Sequence, residues 1–204
     1  MTESDAATPL FPLNTVLFPG GRLGLKVFEA RYLDLMTTCL RERRPFGVVA
    51  LRSGHEVRRP DEQVSFETVG VLAELVELDS PRPGILQVRG RGTQRFEIEH
   101  TRQADDGLWL ARTRLLADDE PVAPTPAQHE TVRGLANAIA SLKAQGSEPF
   151  DAPYRFERAG WVANRWCEIL PIPLAAKQKL MELPDPVARL ALVDEFLRGK
   201  GVVR

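Results

Sequence analysis

The chain has few of the residues on which metal sites and cysteine chemistry depend. Its 204 residues include two cysteines and three histidines. No C-x-x-C or H-x-x-x-H spacing occurs, so no zinc site is predicted. No apolar run approaches the roughly 18 to 20 residues that a bilayer span needs. The net charge of −1 at neutral pH lacks the basic excess that is usual in proteins that bind nucleic acid.

The cysteines and the first residues predict a reducing compartment. Cys39 and Cys167 fall on the apolar faces of predicted helices, and a pair of reduced, buried thiols is typical of a cytoplasmic protein. The opening residues, MTESDAATP, are polar and acidic and lack the basic segment of a secretory signal. We therefore expect a cytoplasmic protein without membrane association.

Residues 10 to 36 carry the most informative pattern of the chain. Two short apolar runs, 10–13 and 15–18, end at Pro19-Gly20-Gly21, which is a turn signal. Residues 22–27 then alternate between apolar and other side chains, as in a half-buried strand. From Phe28 the period changes to about 3.6, which predicts a helix that ends before Pro45. Its apolar stripe comprises Phe28, Tyr32, Leu35, Met36, Cys39 and Leu40.

Further strands are predicted up to residue 116. They cover residues 46–51, 69–78, 85–89, 93–100 and 108–116. Gly90-Arg91-Gly92 is not a phosphate loop, because Arg95 stands where G-x-G-x-x-G needs its third glycine. We predict a bulged connection between two strands there. Connections that are mostly antiparallel, without a repeated βαβ unit, favour a barrel or a sandwich.

A change in composition marks the best domain boundary. Residues 117–126, ADDEPVAPTP, are acidic and rich in proline, so we predict a β-rich domain over 1–118 and a helical one over 119–204. Four helices are expected, beginning near residues 126, 153, 174 and 186. Thr125 and Gln128 have the spacing of a capping box for the first. Asp185 is the predicted cap of the last, whose stripe would be Val187, Leu190, Ala191 and Leu197.

Several of these segments resemble the Lon N-terminal domain family. The family pattern L-F-P-L, V-L-F-P-G and F-E-x-R-Y is matched at residues 10–13, 16–20 and 28–32. Further matches lie at residues 69–75 and 92–98, and looser ones at 177–182 and 188–190, so the resemblance covers nearly the whole chain. Gly24, Lys26 and Ala30 depart from the pattern, and none of them replaces a catalytic group.

The resemblance implies a fold and a function. The fold is α+β: a mostly antiparallel, PUA-like β pseudo-barrel with one early helix, followed by a C-terminal helical bundle. The function is that of a stand-alone, non-catalytic module that binds unfolded or short polypeptide segments, or that acts as an adaptor for an ATP-dependent protease. An exposed apolar patch or a free strand edge would serve this purpose. Phe18, Phe28 and Tyr32 within the motif are candidate partner contacts, with core packing as the alternative for each.

No catalytic residue, cofactor or metal ligand is predicted. The phosphate loop G-x-x-x-x-G-K-[ST] does not occur in the sequence. Ser141 and Lys143 lie two residues apart on a predicted helix and face different ways, which argues against a Ser-Lys protease. Glu97 and Glu99 share one face of a strand, where solvated charges are more common than an acid/base pair.

Two further alternatives concern other ligands. Tyr154, Trp161 and Trp166 could form a shelf for a small molecule, although packing between helices is expected. RNA is the other alternative partner, because several PUA-like domains bind it. The phosphate contacts would then come from Arg41, Arg43, Arg44, Arg52, Arg58 and Arg59. The balanced charge makes nucleic acid the less favoured partner.

Overall fold

The computed structural model describes residues 7–57 and 63–203. It divides into two compact units, Met1–Ala117 and Asp118–Arg204. The predicted boundary lies one residue further along, and the division into a β-rich and a helical domain stays a prediction. Within the described ranges, no helix is long and apolar enough to cross a membrane.

The first unit is a mostly antiparallel sheet with one helix. Its elements are β1 (Thr8–Leu13), β2 (Arg22–Val27), α1 (Ala30–Glu42), β3 (Phe46–Ser53), β4 (Ser65–Phe66), β5 (Val69–Arg82), β6 (Ile85–Gln103) and β7 (Trp109–Leu115). Strand β1 pairs in parallel with β3 and antiparallel with β7. The antiparallel pairs β3–β5, β5–β6 and β6–β7 complete a closed ring of five strands. The predicted fold class is therefore confirmed.

The ring is filled by side chains from four of its strands. Leu10, Val49, Phe96 and Ala111 form one buried cluster. A Cβ atom at Gly47 or Gly70 would lie 2.7 Å from the Phe96 ring, so glycine leaves the space that this ring occupies. Residues 46–51 of β3 are all buried, as their continuous apolar run predicts.

Strand β6 differs from its prediction. It runs unbroken over 19 residues, so the expected break at residues 90–92 is wrong. The glycines remain in the ladder and pair with β5 as Gly90 with Leu75 and Gly92 with Ala73. Register shifts in this pairing occur between Val71 and Ala73 and between Leu75 and Glu77. Glycine is needed at 92 for another reason, since an added Cβ would overlap the carbonyl oxygen of Phe18.

Helix α1 buries most, but not all, of its predicted stripe. Tyr32, Leu35, Met36 and Cys39 are buried, whereas Leu40 is 56% exposed. The helix also buries a charged residue that the pattern did not predict. Arg31 is buried, donates to the carbonyl oxygen of Gly107 at 2.7 Å and lies 3.1 Å from a Glu29 carboxylate oxygen. The two terminal nitrogens therefore have partners, as a buried charge requires, whereas Arg31 Nε is buried without one among the described residues.

The second unit is helical. A 3₁₀ turn at Pro126–Gln128 leads into α2 (His129–Ala144), α3 (Ala159–Ile169), α4 (Leu174–Glu182) and α5 (Pro186–Gly199). The capping box at Thr125 is confirmed, with its N–H 2.9 Å from Gln128 Oε1. The Asp185 cap is also confirmed, since its carboxylate accepts from Val187 N–H at 2.8 Å. The start predicted for α3 at residue 153 is wrong, because aromatic side chains of residues 150–156 pack on Trp161 before the helix begins.

A buried arginine ties together three parts of the helical unit. Arg189 is 1% exposed, whereas Ala191 from the predicted stripe is exposed. The Arg189 guanidinium donates twice to Asp119, at 2.6 and 3.0 Å, and once to Asn164 Oδ1 at 2.9 Å. A Cβ atom at Gly160 would overlap the Asp119 carboxylate. The segment before α2 is thus fixed against α3 and α5.

We expect Asp119→Ala to lower the free energy of unfolding by about 3 kcal/mol. Removing one partner of a buried ion pair leaves the other charge uncompensated. Urea unfolding followed by circular dichroism measures the change. Asp118→Ala is the matched control, because Asp118 is exposed and its loss should change stability by less than about 0.5 kcal/mol. Equal effects of the two substitutions would contradict the role assigned to Asp119.

Candidate functional site

Strand β2 is an edge strand of the first unit. It pairs with β6 from Arg22 opposite Arg91 to Val27 opposite Leu86. Within residues 7–57 and 63–203, no strand pairs with its other edge. Alternate residues of such an edge strand direct their N–H and C=O groups away from the sheet. These groups can bond another extended backbone.

A groove lies beside this edge. Its volume is about 230 Å³. The apolar part of its lining comes from Phe11, Leu25, Val27, Phe28, Tyr32 and Val57. A second depression, of about 540 Å³, is lined by β5, β6 and the same part of β2, residues 24–26. The two hollows therefore meet at β2.

Tyr32 is a nearly buried polar group in the groove lining. Its ring stacks on Phe11 with centroids 3.9 Å apart and an angle of 9° between the planes. The Arg31 guanidinium lies 4.5 Å from the centroid of the ring. Burial raises the pKa of Tyr32 to about 12, so the hydroxyl is neutral at ordinary pH. In the described part of the chain this hydroxyl has no hydrogen-bond partner, and its oxygen is not among the fully buried unpartnered atoms, so water can reach it.

The three candidate contact residues occupy different environments. Phe18 is 0% exposed and belongs to the core, whereas Phe28 is 50% exposed. Tyr32 is 3% exposed. The groove brings Phe28 and Tyr32 together and does not include Phe18. Contact with a partner stays a prediction for all three.

Sequence reasoning missed other parts of the groove. Val57 is 45% exposed and lies between two predicted strands, in a segment for which the sequence predicts no element. Leu25 belongs to the segment predicted as a half-buried strand, and it is partly exposed and lines both hollows. No local signal marks either residue, since only the fold places the loop beside β2.

Three of the four described arginines of the RNA alternative have acidic neighbours. Arg41 and Arg44 lie 3.0 and 3.6 Å from Glu42, and the hydrogen bond from Arg41 is the main cause that lowers the pKa of Glu42. Arg52 lies 2.6 Å from Glu67. Arg43 ends α1 with a φ of 52°, and Arg58 and Arg59 lie outside the described residues. Arg41, Arg44 and Arg52 are thus each close to a carboxylate that offsets their charge.

The carboxylates proposed for acid/base work form ion pairs across the sheet. Glu99 lies 2.9 Å from Arg112, and Glu97 pairs with Arg114. Both pairs are largely exposed. Glu97 and Glu99 therefore lie on a solvated face of the strand, as expected. Among the residues that the structure describes, no three His, Cys, Asp or Glu side chains are grouped as metal ligands.

The aromatic residues of the helical unit pack on one another. Tyr154, Phe156 and Phe150 all contact Trp161, with ring centroids 5.3 to 6.4 Å apart. Trp166 is buried, and its Nε1–H donates to the carbonyl oxygen of Thr131 at 3.0 Å. Packing, the expected alternative to a ligand shelf, is thus confirmed.

Solved structures define the class of fold. The crystal structure of a Lon N-terminal domain protein from Xanthomonas campestris has a TM-score of 0.73 and 28% identity, and the match covers 92% of this chain and 96% of that chain. The N-terminal domain of a Mycobacterium avium complex Lon protease has a TM-score of 0.63 at 16% identity, which shows the fold alone. The chain thus has the fold of Lon N-terminal domains.

The family follows from the sequence match. The family model of the ATP-dependent protease La (LON) substrate-binding domain matches residues 7–199, and the chain belongs to this family. Lon protease of Anaeromyxobacter dehalogenans is 26% identical over 97% of this chain, and Lon protease of Paraburkholderia phytofirmans is 27% identical over 98%. The matches cover 24% and 26% of those proteins. The chain therefore spans about a quarter of their length.

We expect Phe18→Ala and Phe28→Ala to differ sharply in stability. Truncation of the fully buried Phe18 should lower the free energy of unfolding by about 3–5 kcal/mol, because a cavity is left behind. Truncation of the half-exposed Phe28 should cost less than about 1 kcal/mol. Thermal or urea unfolding of both variants measures the difference, and similar losses would contradict the assignment of Phe28 to the surface.

The half-buried Glu168 should make stability depend on pH. Its carboxylate lies 2.8 Å from Arg165. Burial raises the pKa of Glu168 to about 7, although Arg165 and Lys177 act to lower it. The unfolded chain has a value of about 4.3, so the folded state binds this proton more tightly. The contribution of Glu168 to stability is therefore present below about pH 4 and is lost as pH rises to about 7.

The measurement is urea unfolding at about pH 5 and about pH 7.5. From the lower to the higher pH, the original chain should lose more stability than Glu168→Gln, which cannot titrate. Glu157→Gln is the control, because the Glu157 side chain is largely exposed, and its pH dependence should match that of the original chain. Equal losses in all three proteins would overturn the assignment.

Proposed function

We propose that this chain is a non-catalytic module that binds unfolded or short polypeptide segments. Membership of the LON substrate-binding domain family supports the proposal. The structural observation that carries it is the outer edge of β2, with which no described strand pairs, beside an apolar groove with the exposed Phe28 at its rim. Extended polypeptides bind such edges through main-chain hydrogen bonds and place alternate side chains in adjacent pockets.

This arrangement suits partners without a fixed sequence. Hydrogen bonds from a strand edge are made to backbone groups, which every peptide has. The groove adds a preference for apolar side chains, which folded proteins largely bury and unfolded ones expose. The site would thus select unfolded chains because they expose backbone groups and apolar side chains that folded proteins bury.

An adaptor role toward an ATP-dependent protease belongs to the same proposal. Its support is that the curated relatives are Lon proteases, of which this chain matches about a quarter. A cytoplasmic location is also proposed, because Cys39 and Cys167 are free and buried, as is usual in reducing compartments. The proposal includes no cofactor, metal or nucleic acid.

We expect the chain to bind a permanently unfolded protein and not its folded form. A suitable probe is a labelled small protein whose disulfides are reduced and carboxymethylated, with its disulfide-bonded form as control. Phe28→Ala should weaken binding about 5-fold, because burying the exposed half of a phenylalanine contributes roughly 1 kcal/mol. Fluorescence anisotropy measures the affinity.

The matched control variant is Leu192→Ala, since Leu192 is a similarly exposed apolar residue on α5. Its affinity should equal that of the original chain. Equal binding of folded and unfolded probes would contradict the proposal. Binding of RNA with a steep loss in salt, in place of the unfolded protein, would favour the alternative function.

A further inference from the structure

We infer that Glu56 is a positioning residue of the proposed polypeptide site: it holds Val57 in the groove lining and thereby sets the preference for an apolar side chain. The inference rests on the proposed function and names a residue that controls its selectivity. It is carried by the way in which the parts of the groove lining are attached to the fold.

Most of the groove lining belongs to helices or strands or joins them directly. Phe11 and Leu13 lie in β1, residues 24–27 lie in β2, and Tyr32 lies in α1. Residues 28 and 29 connect β2 to α1. Strand pairing holds β1 and β2, and the stack on Phe11 holds Tyr32. The sheet and α1 therefore fix this part of the groove.

The remaining part of the lining, residues 56 and 57, belongs to no helix or strand. It follows β3 after Gly54, whose φ of 94° favours glycine. The Asn14 N–H, directly after β1, donates to Glu56 Oε1 at 2.6 Å. Because β1 and β3 are paired in parallel, both strands leave the sheet in the same direction. The hydrogen bond from Asn14 to Glu56 ties their continuations together.

This hydrogen bond orders an apolar contact residue. Val57 is 45% exposed and lines the groove directly after Glu56. A hydrogen bond to a carboxylate is stronger than one between neutral groups, so the Glu56 bond holds Val57 in place before a ligand arrives. A contact residue that is already ordered loses less conformational entropy on binding. His55 also interacts with another residue, so loss of the Glu56 bond should loosen the segment and not detach it.

The charges of the groove argue against a direct role for the Glu56 carboxylate in ligand choice. The lining contains two carboxylates, Glu29 and Glu56, and one lysine, Lys26. Glu29 already lies 3.1 Å from Arg31, so Lys26 balances Glu56 and no net charge remains to select a charged ligand. Discrimination between ligands then falls to the apolar lining, for which the position of Val57 matters more than the charge of Glu56.

The test uses two labelled peptides of six residues, the length of β2. They differ at one position in the middle, where one has leucine and the other has serine. The original chain should bind the leucine peptide about 10-fold more tightly, because the groove covers the apolar side chain. The unfolded protein proposed above as a probe is measured with the same variants, and fluorescence anisotropy gives each affinity.

Two substitutions of Glu56 separate its geometry from its charge. Glu56→Ala removes the acceptor and should weaken the leucine peptide about 3- to 5-fold while leaving the serine peptide unchanged. Glu56→Gln keeps an oxygen that accepts from Asn14 N–H and should bind nearly as the original chain does. Asp106→Ala is the matched control, because Asp106 accepts from Leu108 N–H at 2.8 Å and lies outside the groove. Both bonds are exposed, so all three variants should keep the melting temperature within about 2 °C.

Val57→Ala completes a double-mutant cycle with Glu56→Ala. Alone, it should weaken the leucine peptide about 3- to 5-fold, because it removes the apolar contact itself. The double variant should lose little more than Val57→Ala alone, since Glu56 acts through Val57. Losses that add in full would mean that Glu56 contacts the ligand directly, and they would overturn the inference.

The outcomes separate this inference from the function on which it rests. If unfolded protein binds but Glu56→Ala loses no affinity, or Glu56→Gln loses as much as Glu56→Ala, the inference is wrong and the proposed function stands. If unfolded protein does not bind, both are wrong. If unfolded protein binds and the short peptides do not, the loss with Glu56→Ala and its recovery with Glu56→Gln are decided on the unfolded protein.

Discussion

The parallel pairing of β1 with β3 is the constraint on which the rest of the first unit depends. Because β1 also pairs with β7, this contact closes the five-strand ring. Strand β2 follows β1 in the chain but has no place within the ring, and it attaches to the outer part of β6. Closure of the ring therefore leaves β2 with an unpaired edge, within the part of the chain described.

The stacked pair of Phe11 and Tyr32 both stabilises the fold and lines the candidate groove. Phe11 comes from β1 and Tyr32 from α1, and their stacked rings join the two elements. The other end of the Tyr32 side chain is a hydroxyl that the fold leaves without a bond among the described residues. The ring and the hydroxyl of Tyr32 thus have different surroundings, so Tyr32→Phe would alter the groove lining without removing the stack on Phe11.

Features specified by neighbouring residues could be predicted from the sequence, and features specified by distant residues could not. The cap at Asp185 and the buried strand β3 follow from local patterns. The unbroken β6 and the buried Arg189 depend on partners far along the chain. The groove belongs to the second group, because Val57 reaches β2 only through the fold. The motif also could not predict that Phe18 is buried and Phe28 exposed, because the packing of distant residues decides which of them is covered.

The shortness of β2 sets a limit on how long a ligand would remain bound there. Six residues extend over about 20 Å, and about half of them face outward. A ligand would then form about six hydrogen bonds of roughly 1 kcal/mol each, less the entropy lost on association. At association rates of about 10⁵–10⁷ M⁻¹s⁻¹, a micromolar or weaker complex dissociates within seconds or less. Such a short residence time would release a captured segment soon enough for a second protein to take it.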